Sequence, residues 1–174
     1  RSPARGGDVV MESLSERARR VRLLVLDVDG VLTDGRLYFS GTGEELKVFD
    51  VRDGHGLVAV QRAGVVVAII SGRNSPAVDR RAAELGIGRV RQGVTDKAAV
   101  LGELQRELGV GPAETACVGD DVPDQPMYQL ASLAVAVADA HPALHAAAHW
   151  VTGAAGGRGA VREVCDLLLS CRKP

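Results

Sequence analysis

The stretch RLLVLDVDGVLTDG, Arg22–Gly35, decides the fold. Its apolar run, Leu23 to Leu26, stops at Asp27; a second acid follows at Asp29, then come Gly30, Thr33 and Asp34. A continuous apolar run bounded in this way reads as a strand buried on both faces, as in a parallel sheet. Carboxylates at the mouth of such a strand are costly to desolvate unless a cation or a hydrogen-bond donor meets them. The stretch therefore predicts a central strand with a charged site at its end.

Similar runs recur at GVVVAIISG (Gly64–Gly72), TACVGDD (Thr115–Asp121) and SLAVAVAD (Ser132–Asp139), each ending in a small or acidic residue. Helical patterns separate them at HGLVAVQRAG, SPAVDRRAAELG, DKAAVLGELQRELG and QPMYQLA. Such alternation predicts an α/β fold with a doubly wound parallel sheet. Ligands of these sheets lie beyond the carboxyl ends of the strands. Asp27, Asp29, Ser71, Asp120 and Asp121 all fall at those ends.

One segment breaks the alternation. GRLYFSGTGEELKVFD (Gly35–Asp50) has two short alternating pieces around a turn-like Ser40–Gly43, which predicts an inserted β-hairpin. Leu37, Phe39, Leu46 and Val48 are expected to share one of its faces, and so little chain leaves no room for a lid domain. The sequence divides into a flexible extension over 1–13, in which MESLSERARR begins a short polar helix, and a single domain over 14–174. That domain closes with a Gly-rich arm and helix over 153–174, in which Val161, Val164, Leu167 and Leu168 make one stripe.

Composition narrows the function. Among 174 residues, 21 Lys and Arg balance 22 Asp and Glu, so no basic surface marks the chain for nucleic acid. No apolar run reaches the roughly 18 residues needed to cross a membrane. RSPARGGD is followed by no apolar segment of the kind a secretory signal carries. Cys117, Cys165 and Cys171 lack metal-site or disulfide spacing and read as reduced thiols of a cytoplasmic protein.

A carboxylate such as Asp27 can attack phosphorus, splitting one hard hydrolysis into two easier steps. Bringing two anions together calls for a hard cation, and Mg²⁺ suits an all-oxygen site supplied by Asp27 and Asp120. Asp29, two residues on, points the same way along an extended strand and can exchange a proton with the leaving oxygen. Ser71 and Lys97 offer a hydroxyl and a compact cation for the phosphate oxygens.

Taken together, the motifs resemble those of the haloacid dehalogenase-like phosphatases. Their four signatures occur in order: DVDGVLTDG at Asp27–Gly35, SGR at Ser71–Arg73, Lys97, and GDDVPD at Gly119–Asp124. LTDGRLYF, VRDGHG, AIISGRN and GGRGAVRE are similar to the capless branch of that superfamily, whose substrates are small phosphorylated sugar acids. The resemblance implies Mg²⁺-dependent hydrolysis with Asp27 as nucleophile and Asp29 as acid/base. It implies metal ligation by Asp27, the Asp29 carbonyl and Asp120, and phosphate binding by Ser71 and Lys97. Arg52, Asp53, Gly54, Arg73 and Arg81 fall in segments that contact substrate. The resemblance further implies a homotetramer, with hairpins packed together and the mobile arm around Arg158 approaching a neighbour's site. Two positions depart from the branch: Val58 replaces an expected basic residue, and Asp50 an expected Asn.

Other readings compete. Asp121 and Asp124 can hold the loop and Lys97 in place rather than touch metal. His141, His145 and His149 line up at helical spacing, yet Pro142 makes a solvent-facing helix edge the better account than a zinc site. A signalling receiver domain uses similar parts but needs its acceptor Asp on a separate strand, and the second core run ends in IISGR. A catalytically silent scaffold would be expected to lack one of Asp27, Asp29, Lys97 or Asp120, and all four are present. A nine-carbon sugar-acid phosphate is the alternative to an eight-carbon one.

Overall fold

The computed structural model describes residues 12–172. A short helix α1 (Leu14–Arg20) opens the described chain, followed by strand β1 (Leu23–Leu26), whose four side chains are all buried. Of the expected extension over 1–13, residues 1–11 lie outside the described residues. Ser13 belongs to the fold instead: its hydroxyl caps α1, and Glu16 reaches back to complete the capping box.

The hairpin strands β2 (Tyr38–Phe39) and β3 (Glu45–Leu46) come next, then helix α2 (Val51–Arg62) and strand β4 (Val66–Ile70). Helix α3 (Pro76–Glu84), strand β5 (Arg89–Arg91), helix α4 (Lys97–Leu108) and strand β6 (Thr115–Gly119) follow. The chain ends through α5 (Gln125–Tyr128), β7 (Leu133–Ala136), α6 (Pro142–Ala147), β8 (Trp150–Val151) and α7 (Ala160–Ser170). Six strands form one sheet in the order β5-β4-β1-β6-β7-β8, every pair parallel.

The first strand in sequence is thus central in space, and the chain winds outward from it in both directions. Right-handed crossovers place α2 and α3 on one face of such a sheet and α4, α5 and α6 on the other. The fully buried β1, β6 and β7 explain the unbroken apolar runs that announced them. Strands β5 and β8 carried no such signal. They are three and two residues long, partly exposed at the sheet edges, and β5 reads Arg-Val-Arg.

The register brings the strand ends level. Leu26 lies opposite Ile69 on one side and Val118 on the other. One residue further on, Asp27 sits beside the exits that lead to Ser71 and Asp120.

The hairpin forms, but its expected apolar face does not. Tyr38 pairs with Leu46 and Phe39 with Glu45. Directly opposed residues share a face, so Phe39 and Leu46 point to opposite sides. All four apolar side chains expected on one face, Leu37, Phe39, Leu46 and Val48, are exposed.

The Gly-rich arm is hydrogen-bonded to the body of the fold along its length. Gly157 N–H donates to Val31 O at 2.9 Å and Gly156 N–H to Asp139 Oδ1 at 3.0 Å. Both carboxylate oxygens of Glu163 accept from the arm's Gly153 and Ala154 amides. A Cβ at Gly156 would stand 1.7 Å from Gly30 O, so the arm can lie on the loop after β1 only as bare backbone.

Candidate active site

The loop leaving β1 turns back on itself at once. Val31, Leu32 and Thr33 amides all donate to Val28 O, while Thr33 Oγ1 accepts from the Gly30 and Gly35 amides. Buried Val28, Val31 and Leu32 anchor it to the core. Gly30 has φ +89°, and a Cβ there would lie 1.9 Å from Asp120 Oδ2. A side chain at this position would thus occupy the space around the Asp120 carboxylate.

Three further segments converge on this loop. Lys97 opens α4, capped by Asp96, whose Oδ1 accepts from Ala99 N–H. Its buried ammonium donates to Asp27 Oδ1 at 2.9 Å and Asp124 Oδ1 at 2.6 Å. Asp124 Oδ2 accepts the amides of Asp120 and Asp121, so this side chain fixes both Lys97 and the loop beyond β6. Asp121 turns to its own loop, accepting from Val122 N–H, and is exposed. Ser71 is buried at the end of β4, its backbone N–H tied to Arg91 O on β5.

The result is an open cleft of about 350 Å³ lined by Asp27, Asp29, Ser71, Arg73, Lys97 and Asp120. Oxygens of Asp27, Asp120 and Asp124 lie within 4.8 Å of one another. Burial, with the Asp124 charge second, raises the Asp27 carboxyl above its ordinary range against the pull of Lys97. Burial and the charges of Asp27 and Asp124 push Asp120 further up. Burial alone would lower Lys97, but Asp27 and Asp124 outweigh it and hold the ammonium above its usual value.

Asp120 is the telling member. Its carboxylate accepts from no amide and pairs with no basic side chain among the described residues, yet its oxygens lie within 4.8 Å of those of two other acids. One ammonium cannot neutralise three crowded carboxylates, so the donor set fits a hard divalent cation. Oxygen-only ligands of this kind suit Mg²⁺.

Sequence reasoning missed Lys47. Its ammonium reaches from the hairpin to Asp29 Oδ1 at 2.5 Å and lies 2.9 Å from Glu45 Oε1. The second contact pairs charges without meeting hydrogen-bond geometry, leaving Glu45 Oε1 unbonded. No local motif points to Lys47; only the fold of the hairpin brings it to the cleft.

The other expected substrate contacts lie elsewhere. Arg52 is exposed near the start of α2, while Gly54 and Arg81 line a separate hollow of about 590 Å³ together with His55 and Val58. Asp50 is the N-cap of α2, accepting from the Arg52 and Asp53 amides, a task Asn also performs. The three histidines are scattered over different backbone partners: Ala143 N for His141, Val137 O for His145 and Ala134 N for His149.

Asp53 is buried beneath α7. Its Oδ1 accepts from Arg162 N–H at 2.8 Å, and its buried Oδ2 has no partner. Burial pushes its carboxyl up to about 6, against the pull of the Arg162 amide. The folded protein therefore holds this proton more tightly than the unfolded chain. Stability is lost as pH rises from about 4 to about 6, by on the order of 3 kcal/mol, and the loss persists at pH 7. Asp53→Asn keeps an acceptor for Arg162 without the charge. It is expected to raise the urea midpoint at pH 7, with the gain vanishing by pH 4; equal midpoints at both pH values would refute this.

A sequence-family model described as haloacid dehalogenase-like hydrolase matches residues 90–163. The 3-deoxy-D-manno-octulosonate 8-phosphate phosphatase of Escherichia coli (strain K12) is 51% identical over 153 residues, covering 88% of this chain and 81% of that protein. The Yersinia pestis crystal structure of a phosphatase of the same name superposes with a TM-score of 0.90 at 48% identity, over 91% of this chain and 86% of that one. The corresponding Moraxella catarrhalis structure, in complex with magnesium ion, phosphate ion and KDO, has a TM-score of 0.88 at 41% identity, covering 90% of each chain.

Proposed function

The chain belongs to the 3-deoxy-D-manno-octulosonate 8-phosphate phosphatase family of haloacid dehalogenase-like hydrolases, and from that membership we propose how its residues hydrolyse this sugar-acid phosphate. The product is the free eight-carbon sugar acid, a lipopolysaccharide precursor, plus phosphate. The observation that carries the reading is the meeting of Asp27, Asp120 and Lys97 at the carboxyl ends of the central strands.

Asp27 attacks phosphorus, forming an oxygen–phosphorus bond as the bond to the sugar's O8 breaks. Asp29 gives its proton to that oxygen. Water then attacks the aspartyl-phosphate, Asp29 takes the water's proton, and the Asp27–phosphorus bond breaks. Ser71 and Lys97 hold the phosphoryl oxygens, with Asp124 and Asp121 supporting Lys97 and the loop. The Asp27 and Asp120 carboxylates and the Asp29 carbonyl would hold Mg²⁺, which when bound neutralises charge between nucleophile and phosphate.

Arg73, which lines the cleft, is the residue of this chain that would meet the sugar acid. Arg52, Gly54 and Arg81 belong to the reading only as residues offered to a neighbouring subunit, whereas Asp53, buried beneath α7 and bonded to the Arg162 amide, serves the fold and not the substrate. A homotetramer built on the exposed hairpin residues Leu37, Phe39, Leu46 and Val48 supplies that neighbour. Residues 14–174 form one catalytic unit. No helix among the described residues is long and apolar enough to cross a membrane. Three free thiols support a cytoplasmic setting.

The test is phosphate release from eight-carbon and nine-carbon sugar-acid phosphates and from simple sugar phosphates, with Mg²⁺ or with chelator. Release from the eight-carbon ester is expected to dominate and to disappear with chelator. Preference for a nine-carbon ester would move the substrate, and release that survives chelation would remove the metal.

A further inference from the structure

The hairpin does more than project from the sheet. It closes a ring of four alternating charges, two of which, Asp29 and Arg73, line the cleft. Lys47 Nζ touches Asp29 Oδ1 at 2.5 Å and Glu45 Oε1 at 2.9 Å. Glu45 Oε2 pairs with Arg73 Nη2, and Arg73 Nε lies 3.9 Å from Asp29 Oδ2.

Asp29 differs from Asp27 in how it is held. Asp27 sits in the buried end of β1 against Lys97, but Asp29 is in the loop, its side chain 22% exposed. Among the described residues, Lys47 is the one hydrogen-bond donor to its carboxylate. Lys47 itself is 4% exposed at its side chain, so its ammonium is committed to this contact instead of ranging through solvent. An acid that must meet one oxygen of the substrate needs a fixed rotamer, because a misplacement of about 1 Å can cost on the order of 100-fold in rate.

We propose that Lys47 is a positioning residue that fixes the Asp29 carboxylate toward the leaving oxygen, with Glu45 fixing Lys47 and Arg73 in turn. The inference rests on Asp29 being the acid of the first step. It makes the inserted hairpin part of the active site of its own chain, separate from any role in packing subunits together.

Leaving-group chemistry separates this role from a merely structural one. A nitrophenolate leaves readily without a proton, whereas a phenolate gains from one and a sugar alkoxide requires one. The experiment measures kcat/KM, which reports the steps up to leaving-group departure, for 4-nitrophenyl phosphate and phenyl phosphate at saturating Mg²⁺. Wild type is compared with Lys47→Met, Lys47→Arg and Asp29→Asn, each checked for an unchanged unfolding midpoint.

Lys47→Met is expected to lose on the order of 10-fold on phenyl phosphate and less than about 3-fold on the nitrophenyl ester. Lys47→Arg should recover most of the loss. An equal loss on both esters, or none on either, overturns the proposal. Asp29→Asn identifies which premise failed: it must show the same bias more strongly, and if it shows none the acid assignment of Asp29 itself is wrong. Should Lys47→Met not fold, Lys47→Gln carries the same comparison.

Discussion

Asp27→Asn is expected to abolish phosphate release, by on the order of 10,000-fold or more, while leaving a folded protein. The amide is close in size to the carboxylate, so packing at the end of β1 is preserved. Its oxygen is too weak a nucleophile to form the covalent phosphoryl intermediate, and it removes one of the two carboxylates proposed to hold Mg²⁺. Stability should respond in the opposite sense from activity. Burial and Asp124 already raise this carboxyl above its ordinary range. The folded state therefore resists its ionisation despite Lys97, and removing the charge should leave the metal-free unfolding midpoint unchanged or slightly higher near pH 7. Steady-state phosphate release and thermal unfolding with chelator test both halves. Residual turnover above about 1% of wild type would exclude Asp27 as the nucleophile.

Lys97→Met is expected to damage both properties. Methionine keeps the length of the side chain but leaves Asp27 and Asp124 facing each other beside Asp120, without the ammonium that now bonds two of them. Removing one partner of a buried ion pair typically costs about 3–5 kcal/mol. Lys97 stays charged throughout the accessible pH range, so its contribution depends on whether the acids around it are ionised. Asp27 and Asp120 both have raised folded values. The deficit of the variant should accordingly be largest at alkaline pH and shrink as pH falls and the acids take up protons. Turnover should fall by on the order of 1,000-fold, as for loss of a preorganised charge at a developing anion. Urea unfolding at pH 8 and pH 5, without metal, is the check. A variant as stable as wild type at pH 8 would mean that Lys97 does not balance this cluster.

The central strands and the acids at their ends were legible because each signal is local. Leu23–Leu26, Thr115–Gly119 and Leu133–Ala136 are buried on both faces, which writes an unbroken apolar run into the sequence. Asp27, Ser71, Lys97 and Asp120 each sit at the boundary of a regular element, where fold geometry alone predicts convergence. What escaped depends on contacts between distant segments. Lys47 meets Asp29 only because the hairpin folds back. Asp53 lies beneath α7, more than a hundred residues further along the chain, and nothing in VRDGHG announces that helix. The opposed placement of Phe39 and Leu46 turns on a register that alternation cannot fix in strands of two residues.

The arm of Gly156 and Gly157 also bears on the order in which the protein is made. Of the residues that meet in the cleft, Asp27 comes first in the chain, at the end of the strand that lies centrally in the sheet. Asp120 follows much later, and the glycine arm later still. The loop after β1 is then clasped through Gly157 N–H to Val31 O, with bare backbone pressed against Gly30. A chain halted before Gly156 would carry Asp27, Asp29, Lys97, Asp120 and Asp124, yet its first loop would lack the clasp. The loop that leaves the central strand is therefore completed only by backbone more than a hundred residues further along the chain, where Gly157 N–H meets Val31 O.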